Sequence, residues 1–179
     1  MSLLERIRAE IFESGPMPFE RFMALALYDP HGGFFGSGPL RSTKAGDFLT
    51  SPEVSPWCGR TLGRYVGDRL ATLGAPRVVI DVGAGSGSLL EPLLAAVAPL
   101  PERAVAIDAS PAARRALRDS GYETLSGLHQ LAAPVRGVVV ANELLDNLPM
   151  RLAARVGDGW EERWIGLEGT ALGLVAAPA

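Results

Sequence analysis

Cysteine is almost missing from this chain. Cys58 is the sole one, so neither an internal disulfide nor a cysteine-based metal cluster can form. Beside Trp57 it reads as a small apolar packing residue. Histidine is equally scarce: His31 and His129 stand far apart, and neither falls in a metal-ligand spacing. Lys44 is the only lysine among 17 basic residues, and against 20 acidic ones it leaves a formal net charge of -3. Proteins that live on nucleic-acid phosphates show a basic excess or a basic stripe, and this sequence has neither, so no nucleic-acid partner is expected. No stretch reaches 18 apolar residues, so no membrane insertion is expected.

What is there suits a soluble globular domain. Apolar residues make up 47% and charged residues 21% of 179 positions, enough to bury a real core. At the N-terminus Leu3, Leu4, Ile7 and Ile11 fall on one helical face, without a continuous signal-peptide core. Glu5 and Glu10 argue against a mitochondrial presequence, so the expectation is a cytoplasmic protein whose first helix packs on the body.

Two regions differ in character. Residues 1–74 read as a helical N-terminal extension, broken at Ser14-Gly15-Pro16 and resuming at Pro18, with a third helix over Trp57 to Leu73. Between the second and third helices, Tyr28 to Pro56 is rich in glycine and proline, and connections of that length are usually functional. Residues 75–179 read as a partial Rossmann-like cofactor-binding domain, an α/β fold with a mostly parallel sheet. Strands are expected at Arg77 to Val82, Ala104 to Asp108, Glu123 to Leu125 and Gly137 to Ala141, with helices over Ser88 to Val97 and Pro111 to Ser120. After Met150 the pattern changes to antiparallel strands joined at Gly157-Asp158-Gly159 and Gly169-Thr170.

The chemistry concentrates at Asp81-Val82-Gly83-Ala84-Gly85-Ser86-Gly87. A loop leaving a parallel strand for a helix must let its backbone approach the ligand, and glycine permits that. The spacing is G-x-G-x-G; a dinucleotide turn reads G-x-G-x-x-G, and its third glycine would fall on Ser88. A carboxylate at Asp81 would repel a pyrophosphate, whereas S-adenosylmethionine carries an ammonium and a sulfonium and no phosphate. Asp108, ending the next strand, is placed to accept bonds from ribose hydroxyls. Gly83, Gly85, Gly87, Asp81 and Asp108 are therefore expected to bind S-adenosylmethionine.

Strand four ends in Ala141-Asn142-Glu143-Leu144-Leu145-Asp146-Asn147-Leu148-Pro149, at the crevice end of a doubly wound sheet. Carboxylates and amides there suit the orientation and deprotonation of a nitrogen nucleophile. A helix cap running from Asn142 to Asp146 explains part of the pattern equally well. The segment Ala45-Gly46-Asp47-Phe48-Leu49-Thr50-Ser51-Pro52-Glu53 precedes a helix, and Thr50 or Ser51 with Glu53 has the form of a capping box.

Taken in order, Tyr28-Asp29-Pro30, Gly32-Gly33-Phe34-Phe35, Gly46 to Glu53, Asp81 to Gly87 and Ala141-Asn142-Glu143-x-x-Asp146-x-Leu148-Pro149 resemble the MidA-like methyltransferases. These are the bacterial and mitochondrial relatives of a respiratory complex I assembly factor. The resemblance implies a class I S-adenosylmethionine fold with a helical N-terminal extension. It also implies a protein arginine nitrogen as acceptor, symmetrically dimethylated in the mitochondrial member. Carried over by position, Asp81, Gly83, Gly85, Gly87, Asp108 and Asn142 hold the cofactor. Glu143, Asp47 and Glu53 are the candidate catalytic acids, and Thr50, Ser51 and Asp146 line the substrate side. Asp81 stands where the family usually has Glu, and Cys58 where it usually has Phe. The chain also closes soon after its hairpin, so it is expected to be either a fragment of a longer protein or a shortened member, lacking the C-terminal strands of a full class I core, antiparallel edge included. The sheet edge left uncovered is expected to invite pairing with another copy. The competing reading is a non-catalytic module that keeps the fold and binds S-adenosylmethionine or an assembly partner.

Overall fold

The computed structural model describes residues 1–41, 49–97, 101–132 and 134–178. The chain divides into two units, Gly38–Leu144 and the combination of Met1–Ser37 with Leu145–Ala179.

The unit Gly38–Leu144 is built on a parallel sheet. In chain order its elements are α3 (Ser51–Val54), α4 (Trp57–Leu73), β2 (Val78–Val82), α5 (Leu90–Ala96), β3 (Arg103–Ile107), α6 (Pro111–Asp119), β4 (Glu123–Leu125) and β5 (Gly137–Val140). The strands lie in the order β4-β3-β2-β5, with Ile80 opposite Val105 on one side and Val139 on the other. Alternation along β2 sends Val79 and Asp81 to one face and Val78 and Ile80 to the other. On the first face Val79, Ala106 and Val140 pack with Val66 and Leu70 of α4, Leu90 and Leu93 of α5 and Leu117 of α6. On the second, Val78, Ile80, Val105 and Ile107 form a separate cluster with Leu125, Leu131 and Val135 around them. Burial on both faces is why these strands read as unbroken β-branched runs. Each fully buried leucine contributes about 1.5–3 kcal/mol.

The helix that follows the glycine turn is seated by two glycines. A Cβ on Gly59 would come within 2.5 Å of Pro92 Cγ, and one on Gly63 within 2.4 Å of the Leu93 carbonyl. These positions, one helical turn apart, let α4 lie directly against α5. The start of α5 is thereby held while the preceding turn stays free of side chains.

The other unit combines α1 (Leu3–Ser14), β1 (Met17–Pro18) and α2 (Phe19–Tyr28) with β6 (Leu152–Val156), β7 (Gly159–Glu168) and β8 (Ala171–Ala176). Ser2 and Glu5 form a reciprocal capping box at the start of α1. The helix ends at Gly15, whose φ of +83° is left-handed. Sequence patterning marks only a break at this point. The structure instead turns Met17 and Pro18 into a short strand against Ile165 and Trp164 of β7, so Pro18 caps α2 rather than opening its first turn. Ile7, Ile11, Met17 and Ile165 make the core.

The Tyr28-Asp29-Pro30 and Gly32-Gly33 segments have structural work within this unit. The buried Asp29 carboxylate accepts the Arg6 guanidinium at 2.6 Å and the His31 amide at 2.9 Å, and the Arg6 bond holds its carboxyl below the ordinary value. Cβ atoms on Gly33 or Gly36 would approach the backbone of Asp29 and Tyr28 to 2.4 Å. Tyr28 donates its hydroxyl to the Asn147 carbonyl at 2.7 Å. Among the described residues, no helix is long and apolar enough to cross a membrane.

Candidate cofactor site at the glycine turn

The turn after β2 is left-handed three times over. Gly83, Gly85 and Gly87 have φ of +77°, +55° and +84°, a region closed to most side chains. Their local reasons differ. A Cβ on Gly83 would meet Leu144 at 3.0 Å, and one on Gly87 would meet Leu117 at 3.3 Å. Among the described residues nothing lies within 4 Å over Gly85, so they leave its backbone bare. The Gly83 and Ala84 amides donate to the Ile107 carbonyl at 2.8 and 3.2 Å, which ties the turn to the end of β3.

Two acids flank this backbone. Asp81 is 2% exposed, and its Oδ2 has no hydrogen-bond partner among the described residues. Burial, with the neighbouring Asp108 adding to it, pushes its carboxyl up to about 7. Asp108 accepts the Gly85 amide on Oδ2 at 2.9 Å and the Ser110 amide on Oδ1 at 2.7 Å. Burial raises its carboxyl, opposed by those two amides and by Arg114. Arg114 itself donates to the carbonyls of Asp108 and Ala109 at 2.9 and 2.6 Å. Asp108 thus clamps the turn, while each of its oxygens keeps a further lone pair for a ligand hydroxyl.

Glu53 joins the same turn from α3. Its Oε1 accepts the Ser88 hydroxyl at 3.1 Å and the Ser86 hydroxyl at 3.4 Å. Its Oε2 accepts the Thr50 amide at 2.8 Å together with the Thr50 hydroxyl. Thr50 is therefore the N-cap that the spacing suggests, and Ser51 is the exposed first residue of α3. The hydroxyls of Ser86 and Ser88 are site residues that sequence reading passes over. The available signal is that both flank Gly87 inside the glycine-rich turn itself.

Past β5, Asn142 is half-buried and Glu143 exposed. Glu143 has a φ of +50°, and among the described residues it is the one non-glycine in the left-handed region. Asp146 belongs to the other unit, in the single helical turn Leu145–Asn147, where its carboxylate takes the Asn147 side-chain amide at 3.4 Å. Asp47 lies outside the described residues. The structure therefore gathers Asp81, Gly83, Gly85, Gly87, Asp108, Thr50 and Glu53 in one unit with Asn142 and Glu143.

The donor set suits a cationic, phosphate-free ligand: bare backbone at Gly85, one buried carboxylate whose Oδ2 lacks a donor among the described residues, and a second beside it. A pyrophosphate would face two acids. A family model of S-adenosyl-L-methionine-dependent methyltransferases matches residues 61–178. The chain belongs to this MidA-like family. A crystal structure of a superfamily member from Burkholderia thailandensis, bound to S-adenosyl-homocysteine, superposes with a TM-score of 0.84 at 32% identity over 99% of this chain. It covers 50% of that protein. The mitochondrial protein arginine methyltransferase NDUFAF7 homolog of Drosophila melanogaster is 30% identical over 95 residues, 52% of this chain and 22% of its own length. The Danio rerio protein arginine methyltransferase NDUFAF7 is 25% identical over 194 residues, 90% of this chain and 46% of its own. The chain thus spans half or less of the length of these family members.

Proposed function

We propose that this chain carries the cofactor-binding part of an S-adenosylmethionine-dependent methyltransferase that acts on a protein arginine nitrogen. The observation behind this is the left-handed glycine turn, open over Gly85 and bracketed by Asp81 and Asp108. When bound, S-adenosylmethionine supplies an electrophilic methyl on a sulfonium. Asp81, Gly83, Gly85, Gly87 and Asp108 would hold it, with Asn142 at the neighbouring strand end. Glu143 is our choice for the acid that orients the guanidino nitrogen and takes its proton, a role worth about 10²–10⁴ in rate. Its strained backbone supports that assignment, because such strain persists where a side chain is held for a purpose. Asp47 would assist from the segment ahead of α3, with Thr50 and Ser51 on the substrate side.

The arginine specificity rests on the names of the relatives, and a link to respiratory complex assembly rests on the family resemblance alone. A cytoplasmic setting belongs to the same proposal. The named relatives are mitochondrial, and localising the full-length protein tests the setting. Calorimetric titration with S-adenosylhomocysteine is the decisive test. Binding that weakens at least tenfold in Asp108→Ala supports the reading, and no binding by a folded protein ends it. Binding without methyl transfer to arginine-containing protein substrates would leave a cofactor-binding module.

A further inference from the structure

We infer that Glu53 is a positioning residue, not the proton acceptor its place in the sequence suggests, and that its job is to set the cofactor turn. This rests on the cofactor reading above. Both carboxylate oxygens are already committed: Oε2 to the amide and hydroxyl of Thr50, Oε1 to the hydroxyls of Ser88 and Ser86. Ser86 and Ser88 lie 33 and 35 residues beyond Glu53 in sequence, so one side chain fastens the cap of α3 to the loop between Gly85 and α5. Ser86 in turn accepts the Ser88 amide at 3.3 Å, so the bridge reaches the backbone of the turn. Gly85, Ser86 and Gly87 are where that backbone would meet the cofactor, and left-handed glycines resist displacement poorly because few side-chain contacts hold them. Glu53, with Ser86, Ser88 and Arg60, also lines a cleft of about 470 Å³, so this bridge forms part of a recess in the unit.

Geometry separates this role from that of a base. Gln is nearly the same shape as Glu, and a serine hydroxyl can accept as well as donate. In Glu53→Gln the amide oxygen can take the Thr50 amide and hydroxyl while the NH2 donates to Ser88. All the fastening survives, and only the ability to take a proton is lost.

The experiment measures S-adenosylhomocysteine affinity by calorimetry and thermal unfolding by circular dichroism for the wild type, Glu53→Gln, Glu53→Ala, Ser88→Ala and Thr50→Val. The expected result is a wild-type-like affinity, within threefold, for Glu53→Gln. Glu53→Ala and Ser88→Ala should each bind about tenfold more weakly, and a protein carrying both Glu53→Ala and Ser88→Ala should be no worse than Glu53→Ala, since both act on one bridge. Ser88→Ala keeps the cap of α3 intact, so it serves if Glu53→Ala does not fold. Unchanged affinity in Ser88→Ala and Glu53→Ala, with only the melting temperature lowered as in Thr50→Val, would reduce Glu53 to a helix cap and overturn the inference. So would Glu53→Gln binding as weakly as Glu53→Ala. A wild type that binds no S-adenosylhomocysteine would instead refute the cofactor reading, and the inference with it.

Discussion

Replacing Asp81 by Asn should make the protein less sensitive to alkaline pH, by an amount that the structure sets. The Asp81 carboxyl is raised from 3.8 to about 7, chiefly because its charge is buried and secondarily because Asp108 is near. A shift of about 3 units corresponds to about 4 kcal/mol between the two protonation states. The sign follows from proton binding. Between pH 4 and 7 the folded state keeps this proton while the unfolded chain releases it, so stability falls as pH rises. The cost is about 1.5 kcal/mol at pH 5 and reaches its full value of about 4 kcal/mol near pH 8. Asn cannot ionise, so whatever its burial costs is the same at both pH values. Urea unfolding at pH 5 and pH 8 should show the wild type losing about 2–3 kcal/mol more than Asp81→Asn across that interval. Parallel losses in the two proteins would show that Asp81 is solvated or partnered, and would refute its role as a stored buried acid. The same group gives a second readout. If a cationic ligand settles beside it, binding at pH 6.5 should release a proton, making the calorimetric enthalpy depend on buffer in the wild type and not in Asp81→Asn.

Two further substitutions separate backbone shape from ligand space. Gly85→Ala should lower stability by only about 1–2 kcal/mol, the cost of a Cβ in the left-handed region, because none of the described residues crowds the position. The same Cβ stands where the cofactor would approach, so S-adenosylhomocysteine affinity should fall by more than tenfold; equal affinity would move the site elsewhere. Gly63→Ala lies in the middle of α4, where alanine is the better helix former by about 1 kcal/mol. Its Cβ would meet the Leu93 carbonyl at 2.4 Å, so a net loss of about 1–3 kcal/mol is expected in urea unfolding, and a gain would show that α4 and α5 are not in close contact.

The cofactor turn is legible in the sequence because its requirements are local. Glycine at 83, 85 and 87 states a backbone conformation, and an acid at 81 and at 108 states a charge, whatever surrounds them. Which atoms those acids meet is another matter. Asp108 reads as a ribose ligand, yet its two oxygens hold the Gly85 and Ser110 amides, an arrangement produced by the pairing of β2 with β3. Glu53 reads as an acid near a helix start, and its link to Ser86 and Ser88 exists only because α3 comes to the glycine loop in space.

The same division holds for the fold. Period, β-branching and turn residues were enough to place α4 at Trp57–Leu73 and β4 at Glu123–Leu125, and to set the hairpin turns after β6 and β7, since each depends on neighbours within a few residues. The pairing of Met17 with Ile165, the part-buried ion pair of Arg6 with Asp29, and the grouping of residues 1–37 with 145–179 were settled only in three dimensions. A two-residue strand has too short a pattern to announce itself, and a buried carboxylate looks like any other until its partner is known. Sequence alone determined that a bare, acid-flanked turn exists; tertiary structure decided what holds it still, because hydrogen bonds between distant segments leave no periodic trace along the chain.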